Sequence, residues 1–254
     1  MSVTSSPGRW PRIGWRPVRE TERRELLDDA PASASLAGNL ADLRRANHWF
    51  GGRALVRRYL QPRLHAPPPH SRVTLLDIGT GGADLPAAFL TWATASGHQG
   101  WAVGVDPSAG VIETTAAWLD INVGVPTALS LVQGDGRALP FAAQSFDFVL
   151  CALTVHHLDA AGVVALLREM GRVARRAVVV TDLERSWPAL VGVWLVAHVA
   201  IRSRLTRHDG PLSVRRAYTV AELAALAQQA GLHGAVVRAH APFRLALSWD
   251  RPRA

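Results

Sequence analysis

The spacing of apolar and polar positions changes character at the proline run Ala66-Pro67-Pro68-Pro69-His70. Before it, two segments read as helices, Glu20 to Asp29 and Ser35 to Leu64. In the second, Leu36, Leu40, Leu43, Asn47 and Phe50 recur at helical spacing, and Gly51-Gly52 predicts a break. After it, short apolar runs alternate with helical segments. Strands are expected at Val73 to Ile78, Trp101 to Val105, Ala128 to Val132, Phe146 to Ala152 and Ala177 to Thr181. Helices are expected at Ala83 to Ser96, Ser108 to Ile121 and Ala160 to Val173. Such alternation predicts an α/β chain with a doubly wound parallel sheet. The tail departs from it. Helices are expected over Trp187 to Leu205 and Val220 to Ala230, followed by two short strands, Val236 to Ala239 and Leu245 to Trp249. Ala241-Pro242-Phe243-Arg244 between those strands favours a hairpin, so the sheet ends antiparallel.

The domain reading follows these changes. Residues 1–18, with Pro7, Pro11 and Pro17, form a flexible arm. Residues 19–70 form an N-terminal helical cap and its linker, and residues 71–254 the main domain, with a helical lid insertion at about 186–218.

Composition narrows the class. Of 254 residues 48% are hydrophobic, enough for a sizeable core. The single cysteine, Cys151, excludes an internal disulfide framework and fits a cytoplasmic location, and the scattered histidines give no metal-ligand spacing. All 28 basic residues are arginine, a bias that fits a GC-rich genome and does not require a nucleic-acid partner. From Leu183 onward, 10 arginines face 4 acidic residues, an excess of 6 that would favour anionic substrates or a membrane surface. The run Trp187 to Ile201 is too short to span a bilayer. Being apolar on nearly every side, it is expected to be buried, packing with the cap over the active site and walling an apolar acceptor cavity; transient membrane attachment is the alternative.

The chemistry concentrates where strands hand over to helices. Asp77-Ile78-Gly79-Thr80-Gly81-Gly82-Ala83-Asp84 joins the first strand to the first helix, where glycines let the backbone approach a ligand closely. A dinucleotide loop would carry its third glycine where Asp84 stands, and a carboxylate there would repel a pyrophosphate. Asp106, before Pro107 at the end of the second strand, is placed to accept hydrogen bonds from ribose hydroxyls. Asp135 follows the third strand in Gly134-Asp135-Gly136-Arg137 and is placed to accept from an adenine amino group, with the Gly136 amide facing the ring.

These segments, with Phe141-Ala142-Ala143-Gln144-Ser145-Phe146-Asp147-Phe148-Val149 and Leu153-Thr154-Val155-His156-His157-Leu158, resemble class I S-adenosylmethionine-dependent methyltransferases, most closely the quinone-biosynthesis and small-molecule subgroup. The resemblance covers roughly residues 72 to 182. It implies a Rossmann-like seven-stranded sheet with an antiparallel last strand, and S-adenosylmethionine as cofactor. Gly79 and Gly81 would flank the methionine part, with Thr80 between them. Asp77 would lie near its amino group, Asp106 and Pro107 at the ribose, and Asp135, Gly136 and Arg137 at the adenine. Ala83 departs from the pattern, since many members have glycine there.

Methyl transfer needs alignment more than a fixed catalytic side chain, although a base helps with a phenol or an acidic carbon. His156 and His157 stand where the methyl group would face its acceptor, as pocket-lining groups or as general bases. His208 beside Asp209 is a further base candidate. Arg215, Arg216 and Tyr218, in a segment read as a loop, are candidate acceptor contacts, as is Trp194 on the apolar run. The expected function is methyl transfer to an oxygen or carbon of a hydrophobic small molecule, phenolic, polyketide-like or quinone-like. An RNA or protein methyltransferase, or a non-catalytic nucleotide-binding scaffold, is the alternative; no nucleic-acid partner is expected.

Overall fold

The computed structural model describes residues 16–23, 34–49, 51–122, 128–199 and 204–252. The cap opens with α1 (Ala34–Trp49) and α2 (Gly52–Leu60), separated at Gly51 as the paired glycines predicted, and a 3-10 turn at Gln61–His65 follows. The helix expected over Glu20 to Asp29 is not formed at residues 20–23; the rest of it lies outside the described residues, as do residues 1–15 of the expected arm. On α1, Leu36 and Leu40 are buried against Val111, a contact contributing about 1.5–3 kcal/mol for each leucine. Arg44 lies over the Trp118 ring at 4.0 Å, tying the cap to the first half of the sheet domain.

The alternating pattern folds as expected: β1 (Arg72–Ile78), α3 (Asp84–Ala95), β2 (Gln99–Asp106), α4 (Ala109–Asn122), β3 (Leu129–Gln133), β4 (Phe146–Ala152), a 3-10 turn at Val155–His157, α5 (Ala160–Val173) and β5 (Ala174–Leu183). Then come α6 (Trp187–Val199), α7 (Arg204–Arg216), α8 (Val220–Gln229), β6 (Val236–His240) and β7 (Arg244–Asp250). The seven strands form one sheet in the order β3-β2-β1-β4-β5-β7-β6. The first five run parallel, and β7 is antiparallel to both β5 and β6. This is the Rossmann-like sheet that the sequence predicted.

Central strands buried on both faces need continuous apolar runs, which β4 and β5 supply. One core lies between the sheet and α5 and α8, around Leu166, Leu167, Met170 and Leu223. The other lies beneath α2 and α3, around Val56, Leu60, Phe89 and Phe148. Asp159 caps α5, accepting from the Gly162 amide at 2.7 Å, and Thr219 with Glu222 forms a capping box on α8.

The sequence reading missed at two further places. The segment 207–218 reads as a loop, yet α7 runs through Gly210 with Pro211 inside the helix. Burial of Asp209 before the proline and of Leu212, Ser213 and Val214 after it holds the helix together across the gap in the hydrogen-bond ladder. Second, α6 is not buried all round. Trp187, Val191, Trp194 and Leu195 are each about half exposed, and they share one face of the helix. The helix packs on α7, and a Cβ on Gly192 would stand 2.5 Å from the Phe243 ring. Among the described residues, no helix is long and apolar enough to cross a membrane.

Candidate active site

Parallel strands of an open α/β sheet leave a crevice at their carboxyl ends where the order reverses, here between β1 and β4. The loops leaving β1, β2 and β3 meet at this edge and are laced to one another. The Gly79 and Thr80 amides both donate to the Val105 carbonyl, at 2.8 and 3.0 Å. The Gly81 amide donates to Asp106 Oδ2 at 3.1 Å, and the Ser108 amide to Asp106 Oδ1 at 3.1 Å. The Gly134 amide donates to the Asp106 carbonyl at 3.0 Å, and Thr115 Oγ1 to the Gly81 carbonyl at 2.7 Å.

Gly79 is required on two counts. Its φ is +69°, and a Cβ there would stand 2.2 Å from Thr154 Oγ1. Ala83 also adopts a left-handed φ, 53°, at the N-cap of α3. The sequence departure at this position thus sits where the backbone would favour glycine.

Asp77 lies at the floor of the loop, 1% exposed. Thr80 Oγ1 donates to its Oδ2 at 2.8 Å, while Oδ1 is enclosed and has no hydrogen-bond partner. Burial pushes its carboxyl up to about 8, with the charges of Asp84 and Asp106 adding to the rise and the Thr80 hydroxyl opposing it. Asp106, buried, is likewise raised by burial, against the amides of Ser108 and Gly81 and the charge of His157. Asp84 is raised by burial too, with Asn47 Nδ2 donating to it at 3.4 Å from α1. Three carboxylates therefore line one loop, and the enclosed Oδ1 of Asp77 calls for a cationic or donor group from a ligand.

Asp135 and Arg137 form a half-exposed pair, Arg137 Nη2 to Asp135 Oδ2 at 2.7 Å, and the Arg137 amide also donates to Asp135 Oδ1 at 2.8 Å. The Arg137 side chain holds the Asp135 carboxyl below its usual range. Pro107 contributes a carbonyl that accepts from Gln133 Nε2 at 3.2 Å.

Across the crevice, the structure gives the two histidines different surroundings. His156 is buried, donating from Nδ1 to Asp182 Oδ1 at 2.6 Å and from its amide to Asp182 Oδ2 at 3.2 Å. Burial works to raise the Asp182 carboxyl, but the charge and hydrogen bond of His156 outweigh it, and the result lies below the usual carboxylate range. The His157 ring stacks on His156 with centroids 4.3 Å apart and is more exposed. Its charge acts on both Asp106 and Asp182, which places it between the β2 and β5 ends of the edge.

The backbone of this pair is held from α7 and from residues 16–23. Arg216 Nε and Nη2 donate to the carbonyls of His156 and His157 at 3.2 and 2.8 Å, and Nη1 to the Arg23 carbonyl at 3.0 Å. Arg19 donates to the carbonyls of Arg216 and Leu158 at 2.7 and 2.8 Å and lies 4.0 Å over the Tyr218 ring, whose hydroxyl donates to the Leu158 carbonyl at 2.9 Å. Arg185 donates to the Pro17 and Ala217 carbonyls at 2.9 and 2.7 Å.

Among the residues singled out from the sequence, Asp77, Gly79, Thr80, Gly81, Asp106 and Pro107 come together, with Asp135, Gly136 and Arg137 on the neighbouring β3 loop. His156 and His157 face them across the crevice, joined by Arg216 and Tyr218 through the backbone. Arg215 pairs instead with Glu20 at 3.4 Å. His208 is half exposed on α7, its Nδ1 2.9 Å from Asp209 Oδ1, and Trp194 lies on the exposed face of α6. The sequence reading missed Asp182, although it ends a valine-rich strand just as Asp77 and Asp106 end theirs. It also missed Arg19 and Arg185, whose carbonyl partners lie more than 30 residues away or on separate elements and leave no local signature.

A cavity of about 630 Å³, lined by Arg63, Gln144, Arg175, Arg176 and Asp250 among others, opens at the opposite, amino-terminal edge of the parallel strands and is separate from this crevice.

Comparison with known proteins agrees with the geometry. Residues 75–177 match the family described as Methyltransferase domain. Over 125 residues the chain is 37% identical to a demethylmenaquinone methyltransferase of Roseiflexus sp. (strain RS-1), covering 49% of this chain and 47% of that protein. The chain thus spans about half the length of the curated relatives it matches. Among solved structures, a SAM-dependent methyltransferase from Aquifex aeolicus aligns over 84% of this chain and 97% of its own, with a TM-score of 0.55 and 14% identity. Magnesium protoporphyrin IX methyltransferase from Synechocystis PCC 6803, solved with bound SAH, aligns over 80% of this chain and 84% of its own, with a TM-score of 0.54 and 15% identity.

Proposed function

We propose that this protein, whose residues 75–177 match a methyltransferase domain, binds S-adenosylmethionine at the β1–β2–β3 edge and methylates an oxygen or carbon of a hydrophobic small molecule. One observation carries the reading. Asp77 Oδ1 is a buried carboxylate oxygen without a partner in a glycine loop, and an amino-acid ammonium group supplies the missing donors and charge. A pyrophosphate would meet Asp77, Asp84 and Asp106 together and be repelled, which disfavours a dinucleotide.

The residues divide the work. Asp77 and the Gly79–Gly81 backbone hold the amino-acid end, Asp106 the ribose, and Asp135 with the Gly136 amide the adenine. The cofactor supplies a methyl group already activated on a sulfonium. What remains for the chain is to align the acceptor, exclude water and take up a proton. His157 is assigned as the proton acceptor of the pair because it is the more exposed, whereas His156 is buried. Asp182 fixes the His156 ring, and the stacked His157 inherits its position. A phenolic or quinone-like acceptor is supported by the apolar composition of α6 and by the relatives named demethylmenaquinone methyltransferase.

Calorimetric titration with S-adenosylhomocysteine tests the cofactor half. Micromolar binding is expected, and a wild-type protein that binds NADH more tightly would overturn it.

A further inference from the structure

Arg244 begins β7 beside Leu183, at the same edge of the sheet as the histidine pair. It is 6% exposed, and no hydrogen bond or ion pair from any described residue reaches its guanidinium; Nη1 is fully enclosed. Burial pulls this group below its usual value, and only the charge of Asp182 works the other way. A guanidinium withdrawn from water without a partner is costly, so a fold retains it where a ligand completes it.

The neighbouring element points to the sign of that ligand. A Cβ on Gly52 would stand 3.2 Å from Arg244 Nη2 and 3.3 Å from its Cζ, so the cation lies against the first turn of α2. That helix has nine residues, its N-cap Gly51 is left-handed, and no side chain caps its first amides. The positive end of a helix and an unpartnered cation therefore meet in one place. Asn47 borders it and connects it through Asp84 to the glycine loop.

We propose that Arg244 and the N-terminal amides of α2 form an oxyanion seat, and that the methyl acceptor carries a carboxylate or an ionised phenol that occupies it. This rests on the methyltransferase reading, since it assigns the cap side of the crevice to the acceptor.

The test measures binding of 2-naphthoate, its methyl ester and 2-naphthol by calorimetry, with and without S-adenosylhomocysteine. Naphthoate is expected to bind at least tenfold more tightly than the ester. Arg244→Met should abolish that preference and leave S-adenosylhomocysteine affinity unchanged; it should also keep or raise Tm, because it removes an unpaired buried charge. Gly52→Ala places a methyl group against Arg244 and should lower naphthoate affinity as well. Naphthol binding as tightly as naphthoate would assign the seat to a phenolate. Equal affinity for naphthoate and ester, or a preference that survives Arg244→Met, would overturn the proposal. Loss of S-adenosylhomocysteine binding by the wild type would instead overturn the methyltransferase reading.

Discussion

Thr80 Oγ1 donates to Asp77 Oδ2 at 2.8 Å and leaves the other oxygen of that carboxylate buried and unmatched. The fold therefore strains the ionised form of this carboxyl at the point where it is proposed to hold an ammonium group.

The first prediction follows from the sign of that strain. The Asp77 carboxyl titrates near 8 in the folded chain, against 3.8 as its ordinary value. Between those limits the native state binds more protons than the unfolded one, so this group's contribution to stability is present below pH 4 and declines as pH rises toward 8. Asp77→Asn, which imitates the protonated acid, should raise Tm at pH 8 by several degrees, at about 2–4 °C per kcal/mol. The same change should abolish S-adenosylhomocysteine binding. In the wild type, that binding should strengthen from pH 6 to 8 and release a proton, measurable by calorimetry in buffers of different ionisation enthalpy.

Asp106 accepts two backbone amides and, in the proposed complex, the ribose hydroxyls. Asp106→Ala should weaken S-adenosylhomocysteine binding by roughly 10–100-fold, as expected for lost hydrogen bonds to a charged group. Stability should fall by about 1–2 kcal/mol in urea unfolding, since the Gly81 and Ser108 amides lose their acceptor. Unchanged affinity would remove Asp106 from the site.

The His156–Asp182 pair is buried on both sides. Asp182→Asn leaves the imidazole without its counter-charge and should cost about 3 kcal/mol or more. The depressed carboxyl contributes stability above its ordinary range, and that contribution is lost as pH falls through the folded value. The stability difference between wild type and Asp182→Asn should accordingly be largest near neutral pH and shrink as pH falls through the folded carboxyl's range, measured by urea unfolding followed by circular dichroism at several pH values.

Arg19 holds residues 16–23 against Tyr218 and the backbone of the loop after β4. Arg19→Ala should cost about 1–3 kcal/mol through the unsatisfied carbonyls of Leu158 and Arg216. Turnover should fall while S-adenosylhomocysteine affinity stays within twofold, because Arg19 touches the loop after β4 and α7 and not the glycine loop. Equal loss of both would place Arg19 in the cofactor site.

The edge proposed to hold the cofactor was legible as a cluster because each of its parts is local. A strand-terminal aspartate followed by glycines reads directly from the chain, and Asp77, Asp106 and Asp135 repeat that device along three successive strands. The acceptor side was not legible, for physical reasons seen at particular residues. Tertiary burial of Leu212 and Val214 overrides the turn signal of Gly210-Pro211. On α6, uniform apolarity cannot tell which face a neighbour covers, and Trp187, Val191, Trp194 and Leu195 stay half exposed. Arg244 reads as one arginine among many until burial removes its water.

The lacing of the three strand-end loops through Asp106 has a consequence for how the protein can vary. Those loops hold one another through hydrogen bonds that begin and end within residues 79–134, so that half of the crevice is self-contained. The facing half is assembled from residues 19, 23, 52, 185, 216 and 244, none of which takes part in that lacing, and the hydrogen bond from Asn47 to Asp84 links the cap to the glycine loop. On the proposed assignment of the two halves, exchanging residues of the facing half would change the acceptor while leaving the lacing through Asp106 in place, with the sheet serving as a common chassis.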